Sequence, residues 1–369
     1  MAASVVRQHG DPEFLRLKEV DLPEELNEHE LLIEVHASSV NHVDCRLRQG
    51  VAEKEGVLSV PAVLGIDFSG IVRKVGSKVE RFKIGESVFG IQQVARIIAG
   101  RNGTYAEWCV VHEDDAATKP KSLTFEQAAV VPMAGLTAWT ALIQGGLDQR
   151  EGKKVVIIGG CGGVGSFATQ FAKRYYRAFV VVCCASKHVD LAKKIGADEV
   201  IEYSKGDWKG SCAKYREFDL VLDCVGLDEY WEVFGREVLG SDGKYIALNA
   251  LRHSLQDSVK KLNRDMDEEI EEEDEDEEDE EEYSFERLAT ERMIAAKSRV
   301  LNIGGGIFSG FRLFQFKDVK LSSLQEIGEL LEDGTVKCII QEIYDLTDMD
   351  RAHETLETFH TGGKLCVRI

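Results

Sequence analysis

The chain has 369 residues, 44% of them hydrophobic, which is enough for two domains with sizeable cores. Its formal net charge of −20 is misleading, because residues 265–282 hold sixteen Asp or Glu and the rest of the chain carries only −4. That remainder offers no basic footprint for nucleic acid, and no apolar run reaches the ~18–20 residues needed to span a bilayer.

Residues 1–20 contain Asp11, Glu13 and Glu19 and no apolar signal core, which fits neither a secretory signal nor an acid-poor transit peptide. None of the nine cysteines forms a Cys-x-x-Cys pair, so free thiols in a reducing, cytoplasmic setting are expected. Residues 1–124 read as β-rich: Glu30–Ala37 and Gly70–Gly76 have strand patterns, and glycines punctuate the segment. Ser39–Gly50 is polar and irregular between apolar strands. Thr124–Leu142 has helical spacing, with Ser122 or Thr124 as a cap. Thr137 there is either a cofactor contact or a helix hydroxyl bonded to its own backbone.

From Lys153 the pattern alternates strand and helix, as in a doubly wound parallel sheet. The apolar run Val155–Ile158 leads into Gly159-Gly160-Cys161-Gly162-Gly163-Val164-Gly165, which contains the Gly-x-Gly-x-x-Gly spacing. A helical pattern follows from Val164 through Tyr175. Strand, glycine turn and helix in that order point to dinucleotide binding. In this reading Gly160 makes the tight turn, Gly162 admits close backbone approach and Gly165 lets helix meet strand. The helix N-terminus then faces a pyrophosphate. Later strands end at Tyr203-Ser204, Val225-Gly226 and Asn249, and in such sheets ligands collect at those ends.

The acidic run cannot bury a core, so about residues 258–285 are expected to form a disordered loop. It is either a passive solvating insertion or a dock for a basic partner. Helical spacing resumes at Phe285–Ala296, followed by a strand at Val300–Ile303 and the Gly304-Gly305-Gly306 run. Helices at Leu321–Leu331 and Asp350–His360 and a strand at Lys364–Ile369 should return the tail to the first domain.

Several short stretches together resemble the medium-chain dehydrogenase/reductase superfamily. They are Val40-Asn41-His42-Val43-Asp44, Gly65-Ile66-Asp67-Phe68-Ser69-Gly70, Leu136-Thr137-Ala138-Trp139, Gly162-Gly163-Val164-Gly165 and Thr361-Gly362-Gly363-Lys364. The match spans nearly the whole chain outside the acidic run and looks like the zinc-independent quinone oxidoreductase branch, some of whose members are mitochondrial. The resemblance implies an α/β fold with a GroES-like β-rich domain built from residues 1–124 and 307–369. Residues 125–306 would form the inserted Rossmann domain. It also implies a site in the cleft, in a homodimer, with Asn41 and Asp44 lining the nicotinamide end; the alternative is that both only satisfy loop backbone groups.

No metal is expected. Asn41 stands where zinc-dependent relatives carry a cysteine ligand, Gly65-Ile66-Asp67 stands for their Gly-His-Glu, and their four-cysteine lobe is missing. Many quinone oxidoreductases also place a tyrosine just after the glycine that here is Gly50, whereas this chain continues Val51-Ala52. NADPH is the expected cofactor. The second strand ends Cys183-Cys184-Ala185-Ser186-Lys187-His188, with no carboxylate to bond ribose hydroxyls until Asp190. Ser186 and Lys187 can meet a 2′-phosphate, and Tyr203 matches a tyrosine of similar sites; otherwise Ser186 only caps the next helix. The expected activity is hydride transfer to quinones or α,β-unsaturated carbonyls. The rival is a cofactor-binding interaction protein that recruits partners through its acidic loop.

Overall fold

The computed structural model describes residues 1–22, 25–51, 56–148, 152–248, 311–313 and 319–369. Residues 258–285, 300–306, the helical spacing at 285–296 and Asn249 lie outside that description. The N-terminal part supplies β1 (Ala2–Val6), β2 (Leu15–Glu19), β3 (Glu30–Ser39), β4 (Ala62–Val63), β5 (Asp67–Val75), β6 (Ser87–Ile91), β7 (Trp108–His112) and β8 (Ala116–Thr118). β1 pairs antiparallel with β2 and β4, so the first residues are built into the fold.

β3 organises the larger antiparallel sheet. One edge pairs with β5; the other pairs with β7 along its first half and, at Ala37–Ser39, with the chain's last strand. That strand, β16 (Lys364–Arg368), also pairs with β15 (Ile340–Asp345), which precedes it in sequence. The chain ends therefore build one GroES-like β domain, as expected.

The inserted sheet runs β11 (Glu199–Glu202), β10 (Phe179–Cys184), β9 (Lys154–Ile158), β12 (Phe218–Asp223), β13 (Leu239–Ala247), β14 (Phe311–Leu313), all parallel. The apolar run Val155–Ile158 within β9 has a simple cause. Val155 and Ile157 pack into one core cluster and Val156 and Ile158 into another on the opposite face. The sheet order reverses direction at β9 and β12, and in sheets of this kind ligands bind at the carboxyl ends beside such a switch point.

Both expected domain boundaries move. The helix Phe125–Ala129 packs on the β domain: Ala129 and Val130 cluster with Ala37 and Cys366, and the Ser69 hydroxyl donates to the Phe125 carbonyl at 2.6 Å. The chain thus crosses near Val130 rather than at 124. Phe311–Leu313 still pair with β13, and the helix Ser323–Glu332 buries Leu324, Ile327 and Leu331 in the core shared with Leu136 of the helix Pro132–Gln144. The return crossing therefore falls after 307, because this helix packs on the helix Pro132–Gln144 on one side and touches β8 on the other.

Candidate active site

The turn after β9 is shaped by glycines, although not in the expected division of labour. Gly159, rather than Gly160, takes the left-handed conformation (φ +71°) and donates its N–H to Cys183 O at 2.9 Å. Gly160 is needed for space, since a Cβ there would lie 2.8 Å from Val182 Cγ1. Gly162 is the N-cap of the helix Gly163–Gln170, and a Cβ on it would meet only Gly159 O, at 3.4 Å. Its open side leaves the first N–H groups of the helix available to an anion. Val164 is half-buried against the core, and Gly165 lies hard on β9. Val225 leans over the turn, its Cγ2 2.9 Å from where a Gly159 Cβ would be. Asp223 Oδ1 holds that loop by accepting from the N–H groups of Val225 and Gly226, each at 2.8 Å.

Ser186, Lys187 and Tyr203 share the next corner because Cys184 and Glu202 stand in register at the ends of β10 and β11. Ser186 does not cap the helix Val189–Ile195; His188 is its N-cap, and the Ser186 hydroxyl meets Ser204 Oγ at 3.1 Å. Lys187 is exposed and Tyr203 half-buried. Glu202 belongs to this corner too and was missed in the sequence, because it comes from the neighbouring strand. The Lys205 ammonium, at 2.7 Å, and the Ser186 hydroxyl hold its carboxyl below the usual carboxylate range.

Across the cleft, Asn41 is the N-cap of the helix His42–Gln49. Asn41 Nδ2 donates to Asp67 Oδ2 at 2.9 Å, and its Oδ1 accepts from Lys364 Nζ at 2.5 Å. Lys364 also donates to Val40 O at 3.0 Å and stands 3.6 Å from Asp67 Oδ2. The Asp67 carboxylate takes two more bonds, from Ser39 Oγ at 2.6 Å and from Met133 N at 2.8 Å. Burial pushes the Lys364 ammonium below its usual pKa, opposed by the charge of Asp67.

Asp44 does not face the cleft. It is fully buried, and its Oδ2 accepts from Asn41 N at 2.8 Å, so it braces the Asn41 turn from beneath. Burial raises its carboxyl to about 7. Thr137 keeps 8% of its surface, and its hydroxyl meets Met133 Sδ at 4.0 Å, one turn earlier in the helix. The His42 ring stacks on Phe359 with centroids 4.8 Å apart. The two halves meet at the tail: Gly363 forms a backbone bridge with Gly162, and the Lys364 side chain lies against Gly163. Lys364 and Asp67 sit in stretches that carry the family resemblance, but the sequence gives neither a role until β16 is placed beside β3.

Residues 27–121 match the family model of the alcohol dehydrogenase GroES-like domain, and residues 195–367 match that of zinc-binding dehydrogenase. The mitochondrial NAD(P)H oxidoreductase RTN4IP1 of Bos taurus is 37% identical over 387 residues, covering 100% of this chain and 89% of that protein. The chain belongs to the medium-chain dehydrogenase/reductase superfamily. Within this superfamily it stands close to the RTN4IP1 type. The chloroplastic NADPH-dependent alkenal/one oxidoreductase of Arabidopsis thaliana is 34% identical over 67% of this chain and 62% of its own length. The quinone oxidoreductase of Coxiella burnetii superposes with a TM-score of 0.77 at 28% identity, covering 100% of this chain and 99% of that one. This superfamily member is an oxidoreductase that takes a nicotinamide cofactor.

The zinc in the second model's name does not fit the donors present. Among the described residues no three His, Cys, Asp or Glu are placed to hold a metal ion. Asp67, the carboxylate bonded to the Asn41 side chain, is committed to Lys364, Ser39, Asn41 and the Met133 N–H.

Proposed function

We propose that the chain is a zinc-independent, NADPH-dependent reductase of quinones or α,β-unsaturated carbonyls. One observation carries this reading: Lys364 joins Asn41 to Gly163, so a glycine turn fit for a dinucleotide adjoins a polar site that offers no metal ligand set. Gly162 and the helix N-terminus at Gly163 would hold the pyrophosphate, and Ser186, Lys187 and Tyr203 would hold the 2′-phosphate end. The bound nicotinamide supplies the hydride. Asn41 orients the acceptor by hydrogen bonding, and Thr137 lines the wall beside Met133. Electron-poor acceptors of this class need little acid catalysis, which suits a site whose most perturbed acid, Asp44, is sealed away; water supplies the proton.

The names of the relatives support both acceptor classes, and the mitochondrial relatives favour that compartment over the cytoplasmic expectation. The homodimer follows from the family resemblance, and light scattering tests it. The acidic run's basic partner is a separate proposal, tested by co-purification with and without residues 265–282.

The deciding experiment is NADPH oxidation by purified protein with a simple quinone and with an alkenal. Turnover abolished by Gly162→Val supports the reading. NADPH binding without turnover on either acceptor class overturns it in favour of an interaction protein with a dinucleotide fold.

A further inference from the structure

We propose that Lys364 is the positioning residue of this site, an internal cation that fixes the Asn41 carboxamide relative to the glycine turn. The inference rests on the reductase reading for its kinetic consequences, and on geometry alone for its structural one.

Lys364 is 5% exposed, and burying an ammonium is costly unless it is paired and hydrogen-bonded. Here Val40 O, Asn41 Oδ1 and the Asp67 carboxylate surround it. An ammonium can only donate and a carboxylate can only accept. Asn41 therefore has a single orientation, with Oδ1 toward Lys364 and one Nδ2 hydrogen toward Asp67. The second Nδ2 hydrogen is left to serve an acceptor, and Asn41 retains 8% of its surface. Drawing charge from Oδ1 also strengthens the amide as a donor, since linked hydrogen bonds polarise one another.

The same side chain reaches the other half of the site. A Cβ on Gly163 would stand 2.9 Å from Lys364 Cδ, and the neighbouring Gly363 bridges to Gly162. Asp67 is a fixed anchor because Ser39 and Met133, on different elements, both bond to it. One residue thus sets the distance between the dinucleotide turn and the acceptor-orienting amide, its stem against one domain and its head bonded within the other.

The test is a double-mutant cycle in the full chain: wild type, Lys364→Met, Asn41→Ala and the double variant, with melting temperature and NADPH dissociation constant measured alongside kcat. Methionine keeps the apolar stem on Gly163 and removes the charge. Misplacement of an orienting group costs roughly 100-fold in rate. Lys364→Met should lose about that much in kcat. NADPH affinity should stay within about threefold, and the loss should vanish in the Asn41→Ala background. Equal losses in both backgrounds would mean a general structural role and overturn the proposal. Should Lys364→Met fail to fold because Asp67 is left unpaired, the cycle is run with Asp67→Asn in all four proteins. Wild-type protein inert toward every quinone and enone would defeat the reductase reading instead. The crystal structure of Lys364→Met then decides the positioning claim: a rotated Asn41 carboxamide supports it, and an unmoved one overturns it.

Discussion

A Cβ on Gly165 would stand 2.1 Å from the carbonyl oxygen of Gly159, so the helix that begins at Gly163 can approach the end of β9 only without a side chain there. Gly165→Ala must push helix and strand apart, and overpacking of this kind costs about 1–3 kcal/mol. Its melting temperature and its NADPH affinity should both fall. Gly162 is the contrast, since its Cβ direction is nearly open. Gly162→Val should melt close to wild type yet lose NADPH binding. Calorimetry with a fluorescence titration checks both, and a Gly165→Ala protein as stable as wild type would refute this account of the turn.

Asp44 should leave a mark on the pH dependence of stability. Its carboxyl titrates at about 3.9 in an unfolded chain and at about 7 in the fold, where burial outweighs the opposing bond from Asn41 N and the charge of Lys364, with Asp67 adding to the rise. Between those values the folded state binds more protons than the unfolded one. Stability therefore falls as pH rises through that window. Asp44→Asn keeps an acceptor for Asn41 N and removes the charge, so it should flatten this slope and be more stable than wild type at pH 8. Urea unfolding at pH 5, 6, 7 and 8 measures it. Parallel slopes in the two proteins would show that Asp44 is not the group responsible.

Removing residues 265–282 takes away sixteen carboxylates and should leave melting temperature and turnover on small acceptors almost unchanged. Shortening a chain segment between two fixed ends alters closure entropy only slowly, by about 0.6 kcal/mol per doubling of length. A loss of turnover in the deleted protein would contradict this.

Much of this organisation was legible in the sequence because it is local. The glycine spacing between an apolar run and a helical pattern marks the turn proposed to hold the dinucleotide, and the apolar run Val155–Ile158 announces a sheet covered on both faces. What was hidden depends on strands that meet only after folding. Lys364 reaches Asn41 across 323 residues because β16 pairs with β3 at Ala37–Ser39. The family resemblance put Asp44 in the cleft, but the helix it helps to start turns it inward. The helix Ser323–Glu332 has an apolar stripe that would suit either domain, and only the fold shows that it packs on the helix Pro132–Gln144 and reaches β8.

In the proposed function, cofactor choice rests on the corner where Ser186 meets Glu202. The absence of an acid at the end of β10 argues for NADPH, yet β11 brings the Glu202 carboxylate to the Ser186 hydroxyl. A carboxylate there would repel a 2′-phosphate, but Lys205 pairs with it at 2.7 Å and Lys193 adds a second positive charge. The balance should favour NADPH by way of Lys187. A hydrogen bond to a charged group contributes roughly 1.5–3 kcal/mol, so Lys187→Ala should weaken NADPH about ten- to a hundredfold and leave NADH nearly unchanged. Glu202→Gln should act oppositely and more weakly, tightening NADPH while NADH stays level or loosens. Both effects should shrink in high salt, because the charges are exposed to screening. Fluorescence titrations of wild type and the two variants with each cofactor, at low and high salt, separate these outcomes. NADH binding to wild type as tightly as NADPH would mean that Glu202, not Lys187, governs the corner.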